Sequence, residues 1–287
     1  MNWKNNLLFD LRNIYLETLS RTYSQGESKQ MIDTLIKSFF DISHIQLALK
    51  PEYRLNESEM LKLHVAVKKL LNHVPLQYVT GETQFIDSEL SVNESVLIPR
   101  PETEELVNHI ISQEKSSGLK VLDIGTGSGC ISLSLKKHLN NPDITAIDIS
   151  EKALSLAKLN SDKNKLDITF RLMDILDKDS HRSIGRFDVV VSNPPYVTES
   201  EKQFMHKNVL DYEPHEALFV VDENPMLFYV AILEFCQTSM KPGGRIYFEI
   251  NENYGEEILG LFQAYEFQKG KLHTDIHGKH RIAEATL

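Results

Sequence analysis

The sequence has few cysteines, no excess of positive charge and no long apolar run. Its two cysteines, Cys130 and Cys236, each lie in an apolar segment, so we expect buried thiols in a reducing compartment. The formal net charge is −10, which disfavours a nucleic-acid partner, although a local basic groove would still fit the composition. No run is long enough to span a bilayer, and the first residues show no basic region followed by an apolar one. We therefore expect a cytoplasmic protein that binds neither nucleic acid directly nor a membrane.

The composition is that of an ordinary globular protein, with 41% hydrophobic and 25% charged residues, and allows one large or two unequal domains. Residues 1–82 carry apolar side chains at helical spacing and no strand pattern, which predicts a small helical domain. Asn56, three residues before Glu59, is typical of a helix start. Residues 83–98 have an extended pattern, which predicts a β-hairpin linker.

Residues 99–287 alternate strand and helix patterns. Strands are predicted at 119–124, 144–148, 167–172, 187–192, 244–250, 265–272 and 280–286, and helices at 129–139, 151–161, 225–239 and 255–264. The alternation predicts an α/β domain with an open, mostly parallel sheet covered by helices on both faces. A polar segment without a helix pattern joins the last two strands, so we expect these two to pair antiparallel.

The first strand of this region runs into a glycine-rich turn and then a helix, with the candidate ligand residues Asp123, Gly125, Thr126, Gly127, Ser128 and Gly129. Glycines let a backbone approach a ligand closely, and a helix N-terminus adds a positive dipole. Asp123 would repel a pyrophosphate but accept a cationic amino-acid group. Gly129 also comes one residue too early for the dinucleotide fingerprint. These two details favour S-adenosylmethionine as the cofactor.

Acids also close the next two strands. Asp148, followed by Ile149, comes about twenty residues after the glycines, where a carboxylate can accept both hydroxyls of a ribose. The alternative is that Asp148 caps the next helix, a role that Ser150 could also fill. Asp174 could accept from the adenine amine while Ile175 covers a ring face, although an aspartate at a strand end is also common in turns.

The fourth strand pattern ends in Asn193-Pro194-Pro195-Tyr196. A turn after a strand would explain Asn-Pro alone. The second proline and the aromatic residue favour a binding role, because two prolines fix the backbone and leave carbonyls that only accept hydrogen bonds. The side-chain oxygen of Asn193 and the carbonyl of Pro194 could each accept one hydrogen of a planar amino group, and Tyr196 could stack on it.

This arrangement suits a weak nucleophile. An amide nitrogen reacts poorly because its lone pair is delocalised into the carbonyl, so holding both N–H bonds would direct that lone pair at the methyl group of a sulfonium. In an open parallel sheet Gly125, Asp148, Asp174 and Asn193 would share the carboxyl-end edge, where ligands bind. We therefore assign Asn193 to both the cofactor site and the substrate site.

At these residues the chain resembles the release factor glutamine methyltransferases, which modify the glutamine of the Gly-Gly-Gln motif in class 1 peptide-chain release factors. Adenine amino-methyltransferases that act on nucleic acids share Asn-Pro-Pro-Tyr, so the discriminating residues lie upstream: Pro75-Leu76-Gln77-Tyr78, Gly81, Phe85, and the run from Val96 to Glu104. Glu213-Pro214 and Ala217-Leu218 also match a family segment near the substrate cleft.

The resemblance implies a seven-stranded, Rossmann-like class I methyltransferase domain at 99–287, a hairpin linker, and a helical domain that recognises the substrate. It implies S-adenosylmethionine as cofactor and release factors as protein substrates, and we expect a monomer. It also places Arg100 and Glu213 beside the substrate. Asn251 departs from the family, in which a glycine is usual at that position.

Three alternatives stay open. An adenine amino-methyltransferase acting on DNA or RNA predicts a recognition domain or a basic patch, and a non-catalytic cofactor-binding module predicts decay of Asn193-Pro194-Pro195-Tyr196. A dehydrogenase is disfavoured by the glycine spacing. We expect no metal, because no ligand cluster accompanies His277 and His280 in the sequence.

Overall fold

The computed structural model describes residues 6–287, apart from the side chains of residues 182 and 183. The first five residues, which bear on the expected lack of a signal segment and on the start of the helical domain, lie outside the described residues. None of the described helices is both long and apolar enough to cross a membrane. The chain forms two compact units, a helical unit (the described residues through Gly81, with Lys207–Tyr212) and a sheet unit (Glu82–His206 and Glu213–Leu287).

Within the described residues the α-helices are α1 (Leu8–Leu19), α2 (Gln25–Phe40), α3 (His44–Leu49), α4 (Glu57–Leu71), α5 (Leu76–Thr80), α6 (Pro101–Gln113), α7 (Cys130–His138), α8 (Glu151–Asn164), α9 (Lys207–Tyr212), α10 (Leu227–Ser239) and α11 (Gly255–Ala264). The strands are β1 (Glu82–Phe85), β2 (Ser88–Ser91), β3 (Lys120–Ile124), β4 (Asp143–Asp148), β5 (Thr169–Leu172), β6 (Phe187–Ser192), β7 (Val197–Thr198), β8 (Phe219–Val220), β9 (Met240–Glu249), β10 (Gln268–Thr274) and β11 (His280–Thr286). Short 3₁₀ helices cover Lys178–Ser183, Glu199–Phe204 and His215–Ala217.

The helical unit is organised by helix caps and an apolar core. The predicted start of α4 is confirmed, because Asn56 accepts from the backbone of Glu59 at 3.0 Å while the Glu59 carboxylate accepts from the backbone of Asn56 at 2.8 Å. Such a reciprocal cap satisfies donors that a helix start leaves free. The apolar faces of the helices meet in a core that includes the fully buried Leu19, Leu35, Leu63 and Leu70.

The hairpin is shorter than predicted. Strands β1 and β2 pair antiparallel from Glu82 opposite Ser91 to Phe85 opposite Ser88. The extended pattern at Val96 does not continue the strand. Asn93 instead forms a turn in which its side chain accepts from the backbone of Ser95 at 2.9 Å and its carbonyl accepts from Val96. Val96 is buried and lies outside both strands of the hairpin, so its apolar character reflects burial.

The seven-stranded sheet confirms the predicted α/β fold. Its strand order is β10-β11-β9-β6-β3-β4-β5, with β9, β6, β3, β4 and β5 parallel. The predicted antiparallel pairing of the last two strands is also confirmed, and β11 runs antiparallel to β9. Alternate residues of the central strands face opposite cores: Val121 packs on the side of α6 and α7, and Leu122 on the side of α10 and α11.

The sequence prediction missed helix α6. Its apolar residues Leu106, Val107 and Ile110 are fully buried and spaced as a helix requires, and Pro101 stands in its first turn, where a missing N–H is harmless. Prolines also occur in extended segments, so Pro99 and Pro101 did not mark the start of this helix. Helix α6 begins beside the carboxyl-end edge of the sheet and brings Thr103 to the candidate site described next.

Candidate active site

A cavity of about 590 Å³ opens at the carboxyl ends of β3, β4, β5 and β6, within the range of cofactor pockets. Predicted site residues that line it are Arg100, Gly125, Thr126, Gly127, Ser128, Asp148, Ile149, Asp174, Ile175, Asn193, Pro194 and Pro195. The other predicted site residues, Asp123, Gly129, Tyr196 and Glu213, do not line it. All the lining residues belong to the sheet unit.

The three glycines of the turn have different surroundings. Gly125, Gly127 and Gly129 have φ of +74°, +55° and +82°, a region that side chains with a Cβ rarely adopt. A Cβ on Gly125 or Gly127 would meet nothing within 4 Å, whereas one on Gly129 would lie 2.6 Å from the Leu133 side chain and 3.2 Å from Ala157. Gly129 therefore allows α7 and α8 to pack closely, and the other two leave room beside the cavity.

Asp123 is buried beneath the turn and organises it. One carboxylate oxygen accepts from the hydroxyls of Thr126, at 2.7 Å, and Ser132, at 2.6 Å. Burial raises the pKa of Asp123 to about 6, because the charged form loses solvation. Its other oxygen is buried without a hydrogen-bond partner in the described part of the chain, as is the hydroxyl of Ser128, which lines the cavity. Unsatisfied buried groups of this kind are typical of a site that a ligand completes.

The carboxylate of Asp148 is held by the backbone. Its oxygens accept from the N–H groups of Gly127 and Ser150, each at 2.9 Å, and each oxygen retains a lone pair for a further donor. Burial raises the pKa of Asp148 above its usual value. The helix-cap alternative does not apply, because Ser150 caps α8 by accepting from the backbone of Ala153 at 3.2 Å. Asp148 is therefore free to bind a ligand.

The segment after β5 contributes Asp174 and Ile175, and the segment after β4 contributes Ile149. One oxygen of Asp174 accepts from the backbone of Leu176 at 2.8 Å, which is the turn role that the sequence left open. Ile175 is buried, whereas Ile149 is 59% exposed beside the same cavity. A planar ring placed there would cover the exposed face of Ile149.

Asn193 lies at the end of β6 with its amide group fixed from one side. Its Nδ2 donates to the Thr103 hydroxyl at 3.2 Å. Pro194 and Pro195 follow along the cavity wall. Tyr196 packs against the core, and its hydroxyl donates to the Glu249 carboxylate at 3.0 Å. Asn251, at the position where the family usually has glycine, donates to both carboxylate oxygens of Glu201 at 3.2 Å.

An ion pair between a half-buried arginine and a buried glutamate joins the segment before α6 to the segment after α9. Arg100 donates to Glu213 at 2.5 Å, and the backbone of Ile98 donates to the other oxygen of Glu213 at 3.1 Å. The Glu213 side chain is 1% exposed, so it positions Arg100 at the cavity without reaching the cavity itself. Sequence reasoning singled out both residues but not their pairing, because 113 positions separate them.

A cluster of histidines lies away from the cavity. The carboxylate oxygens of Glu284 lie 2.9 Å from His109 and 3.3 Å from His273, and the side chains join α6 to β10 and β11. Neither His277 nor His280 belongs to this cluster. None of these residues lines the cavity. The expectation that the reaction uses no metal stays a prediction.

Two family models match the chain: a methyltransferase small domain over residues 101–235 and a PrmC N-terminal domain over residues 13–81. The release factor glutamine methyltransferase of Flavobacterium psychrophilum is 41% identical over 285 residues, covering 98% of this chain and 99% of that protein. The enzyme of the same name from Bacteroides thetaiotaomicron is 38% identical over 269 residues, covering 94% and 96%. The chain belongs to the release factor glutamine methyltransferase family.

Solved structures support the fold of this family member. A methyltransferase from Pyrococcus furiosus superimposes with a TM-score of 0.51 and 17% identity, covering 80% of this chain and 98% of that one. At that identity the likeness shows the fold alone. The methyltransferase domain implies S-adenosylmethionine as the methyl donor, and the glycine turn and the free lone pairs of Asp148 fit that molecule.

Proposed function

We propose that this protein transfers the methyl group of S-adenosylmethionine to the side-chain amide nitrogen of the glutamine in the Gly-Gly-Gln motif of class 1 peptide-chain release factors. The observation that carries the proposal is the orientation of the Asn193 amide beside the candidate cofactor cavity. Because Nδ2 of Asn193 is used by Thr103, its Oδ1 is left to accept a hydrogen from an incoming amino group. The family names of close relatives supply the identity of the substrate.

The cofactor would be held along the four strand ends. Asp148 would accept the ribose hydroxyls with its remaining lone pairs, and Asp174, Ile149 and Ile175 would surround the adenine. The amino-acid end would lie at the glycine turn, near Asp123. When bound, the cofactor supplies an electrophilic methyl group on a positively charged sulfur.

The protein's own groups would act on the glutamine amide by position. Asn193 Oδ1 and the Pro194 carbonyl would accept one amide hydrogen each, which orients the nitrogen lone pair and offsets the positive charge that develops on nitrogen. The methyl–nitrogen bond would form as the methyl–sulfur bond breaks, the sulfur would leave as a neutral thioether, and the nitrogen would then lose one proton to solvent, so neither Asn193 nor the Pro194 carbonyl needs to ionise. The Arg100–Glu213 pair would fix the wall of the cavity beside the substrate.

The test combines methyl mapping with one substitution. The protein is incubated with isotope-labelled S-adenosylmethionine and a class 1 release factor, and the modified residue is located by mass spectrometry. We expect label on the Gly-Gly-Gln glutamine and none on a release factor in which that glutamine is alanine. Label on adenine of DNA or RNA, with none on the release factor, would replace the proposal by the adenine alternative.

Asn193→Ala tests the role of the amide. We expect kcat to fall about a hundredfold or more, as when one preorganised hydrogen-bonding group is removed from an active site, with the Kd for S-adenosylmethionine little changed. Asn140→Ala, at an exposed residue outside the cavity, is the matched control and should keep normal turnover. Near-normal turnover of Asn193→Ala would refute the role of Asn193. A monomeric state and a cytoplasmic location remain predictions.

A further inference from the structure

Two buried residues that the proposed chemistry does not itself use are joined to Asn193 by hydrogen bonds. The Thr103 hydroxyl donates to one oxygen of Glu249 at 2.7 Å and accepts from Asn193 Nδ2 at 3.2 Å. The other oxygen of Glu249 accepts from the Tyr196 hydroxyl at 3.0 Å. Glu249 is 1% exposed and lies outside the cavity lining. The chain of bonds therefore runs from Glu249, behind the cavity wall, to the amide of Asn193 at the cavity.

The direction of these bonds follows from counting hydrogens. A threonine hydroxyl has one hydrogen, and the carboxylate of Glu249 can only accept. If that hydrogen is given to Glu249, the Thr103 oxygen can only accept from Asn193. The amide must then present Nδ2 to Thr103 and Oδ1 away from it. The reversed amide would place two acceptor oxygens against each other, which is unfavourable in a buried site.

We propose that Thr103 and Glu249 are positioning residues that select the orientation of the Asn193 amide in which Oδ1 is the acceptor offered to the substrate. This inference rests on the proposed function for its catalytic consequence. Asn193 alone carries no preference, because its oxygen and nitrogen differ little in shape and a rotation of the terminal torsion exchanges them. The hydrogen bonds that link Asn193 to Thr103 and Thr103 to Glu249 supply the preference for one amide orientation, and they lie on the side of Asn193 opposite the substrate.

The location of the two residues strengthens the inference. Thr103 lies in the first turn of α6 and Glu249 at the last position of β9, next to β6 in the sheet. Tyr196, two residues after Pro194, is tied to the same carboxylate. A single buried acid thus holds both ends of Asn193-Pro194-Pro195-Tyr196, so a change at Glu249 would alter the orientation of the amide and the path of the backbone that follows it.

The first test is Thr103→Val compared with Thr103→Ser. Valine keeps the shape and removes the hydroxyl, and serine restores it. We expect kcat for the release factor to fall about ten- to a hundredfold in Thr103→Val, the scale of one hydrogen bond to a charged group, and to return to within about threefold in Thr103→Ser. The Kd for S-adenosylmethionine should stay within about twofold in both. Thr145→Val, on β4 away from the network, is the matched control and should behave as the parent protein.

Glu249→Gln tests the direction of the bonds. A glutamine can donate to Thr103, which frees the threonine hydrogen for Asn193 and favours the reversed amide. We expect kcat to fall as in Thr103→Val, although size and burial are conserved. In the Asn193→Ala background Thr103→Val should not lower kcat further, since it acts through that amide. An additive loss in the Asn193→Ala/Thr103→Val double variant would overturn the proposal.

A readout that does not depend on turnover separates this inference from the proposed function. The side-chain ¹⁵N and ¹H signals of the Asn193 amide should shift in Thr103→Val and Glu249→Gln and stay near the parent values in Thr103→Ser. If the parent protein methylates the release factor but these signals and kcat are unchanged in Thr103→Val, the network has no positioning role. If the signals shift as expected while the parent leaves the release factor unmodified, the orientation stands and the proposed function fails.

Discussion

Alanine placed at two glycines of the same turn should separate folding from ligand binding. Gly127 and Gly129 both have positive φ, so alanine at either is expected to lose about 1–2 kcal/mol of the free energy of unfolding. The positions differ in the space around a new Cβ. Gly127 faces open space and lines the cavity, whereas Gly129 faces the buried Leu133 and Ala157.

The packing around each new methyl group sets the difference in stability between the two variants. At Gly129 the new methyl would lie 2.6 Å from Leu133 Cδ1 and 3.2 Å from Ala157 Cβ. Leu133 is fully buried and Ala157 belongs to a packed helix face, so relief requires a shift of α7 against α8. Overpacking of this kind adds about 1–3 kcal/mol. Gly129→Ala should therefore melt about 4–8 °C below Gly127→Ala, since about 2 kcal/mol corresponds to that shift in a domain of this size.

The binding assay should rank the variants in the opposite order. Calorimetric titration with S-adenosylmethionine, at a temperature where both variants are folded, should give a Kd raised at least about tenfold for Gly127→Ala, because the methyl occupies space the ligand needs. Gly129→Ala should bind more tightly than Gly127→Ala. Equal melting temperatures would refute the packing argument, and parent-like binding by Gly127→Ala would refute the assignment of the turn to the cofactor.

Three further predictions concern the charged residues of the site. Asp148→Asn should raise the Kd for S-adenosylmethionine about tenfold or more, since its NH₂ would face a backbone N–H; an unchanged Kd in calorimetry would exclude the ribose role. ¹³C NMR should place the pKa of Asp123 near 6 in the free protein and lower when the cationic ligand is bound. This pKa is raised above the unfolded value of 3.8, so between these two pH values the native state binds a proton that the unfolded state does not. The contribution of Asp123 to the free energy of unfolding therefore falls as pH rises from about 4 to about 6. A titration with no such pKa would contradict the burial argument. Arg100→Met should lower the free energy of unfolding, measured in urea, by about 1–3 kcal/mol, a loss moderated by the partial exposure of Arg100. Adding Glu213→Gln should recover part of that loss. If Arg100→Met is as stable as the parent protein, the pair adds no stability.

Local patterns predicted the sheet and the placement of the ligand residues at its edge. Asp148 and Asn193 could be placed at this edge because Asp148 ends β4 and Asn193 directly follows β6, and parallel strands bring their carboxyl ends together. An apolar pattern wrongly predicted that the hairpin extends to Val96, because a buried residue outside a strand gives the same pattern as a residue within one. Helix α6 was missed because prolines that start a helix also occur in extended segments.

The pairings across the fold could not be predicted in this way. Thr103 and Glu249 are 146 positions apart, and Arg100 and Glu213 are 113 apart. Periodicity shows which face of an element is buried, but not which side chain of a distant element meets it. Glu249 lies inside the strand predicted at 244–250, with no local pattern that marks it as part of a site, and only the sheet order places it behind Asn193.

Each group offered to a ligand is fixed by a second bond to the protein. Backbone N–H groups hold both oxygens of Asp148, and Thr103 holds the nitrogen of Asn193. A strong nucleophile could tolerate looser geometry, because its lone pair is not delocalised. The lone pair of a glutamine amide is delocalised into the carbonyl, so the rate depends on how narrowly that lone pair is directed at the methyl group. A reversed Asn193 would present its NH₂ group to the substrate NH₂ group, and the substrate nitrogen would lose the acceptor that orients it. In the proposed mechanism, the buried Glu249 therefore supplies, through Thr103, the orientation of Asn193 on which methylation of a weak nucleophile depends.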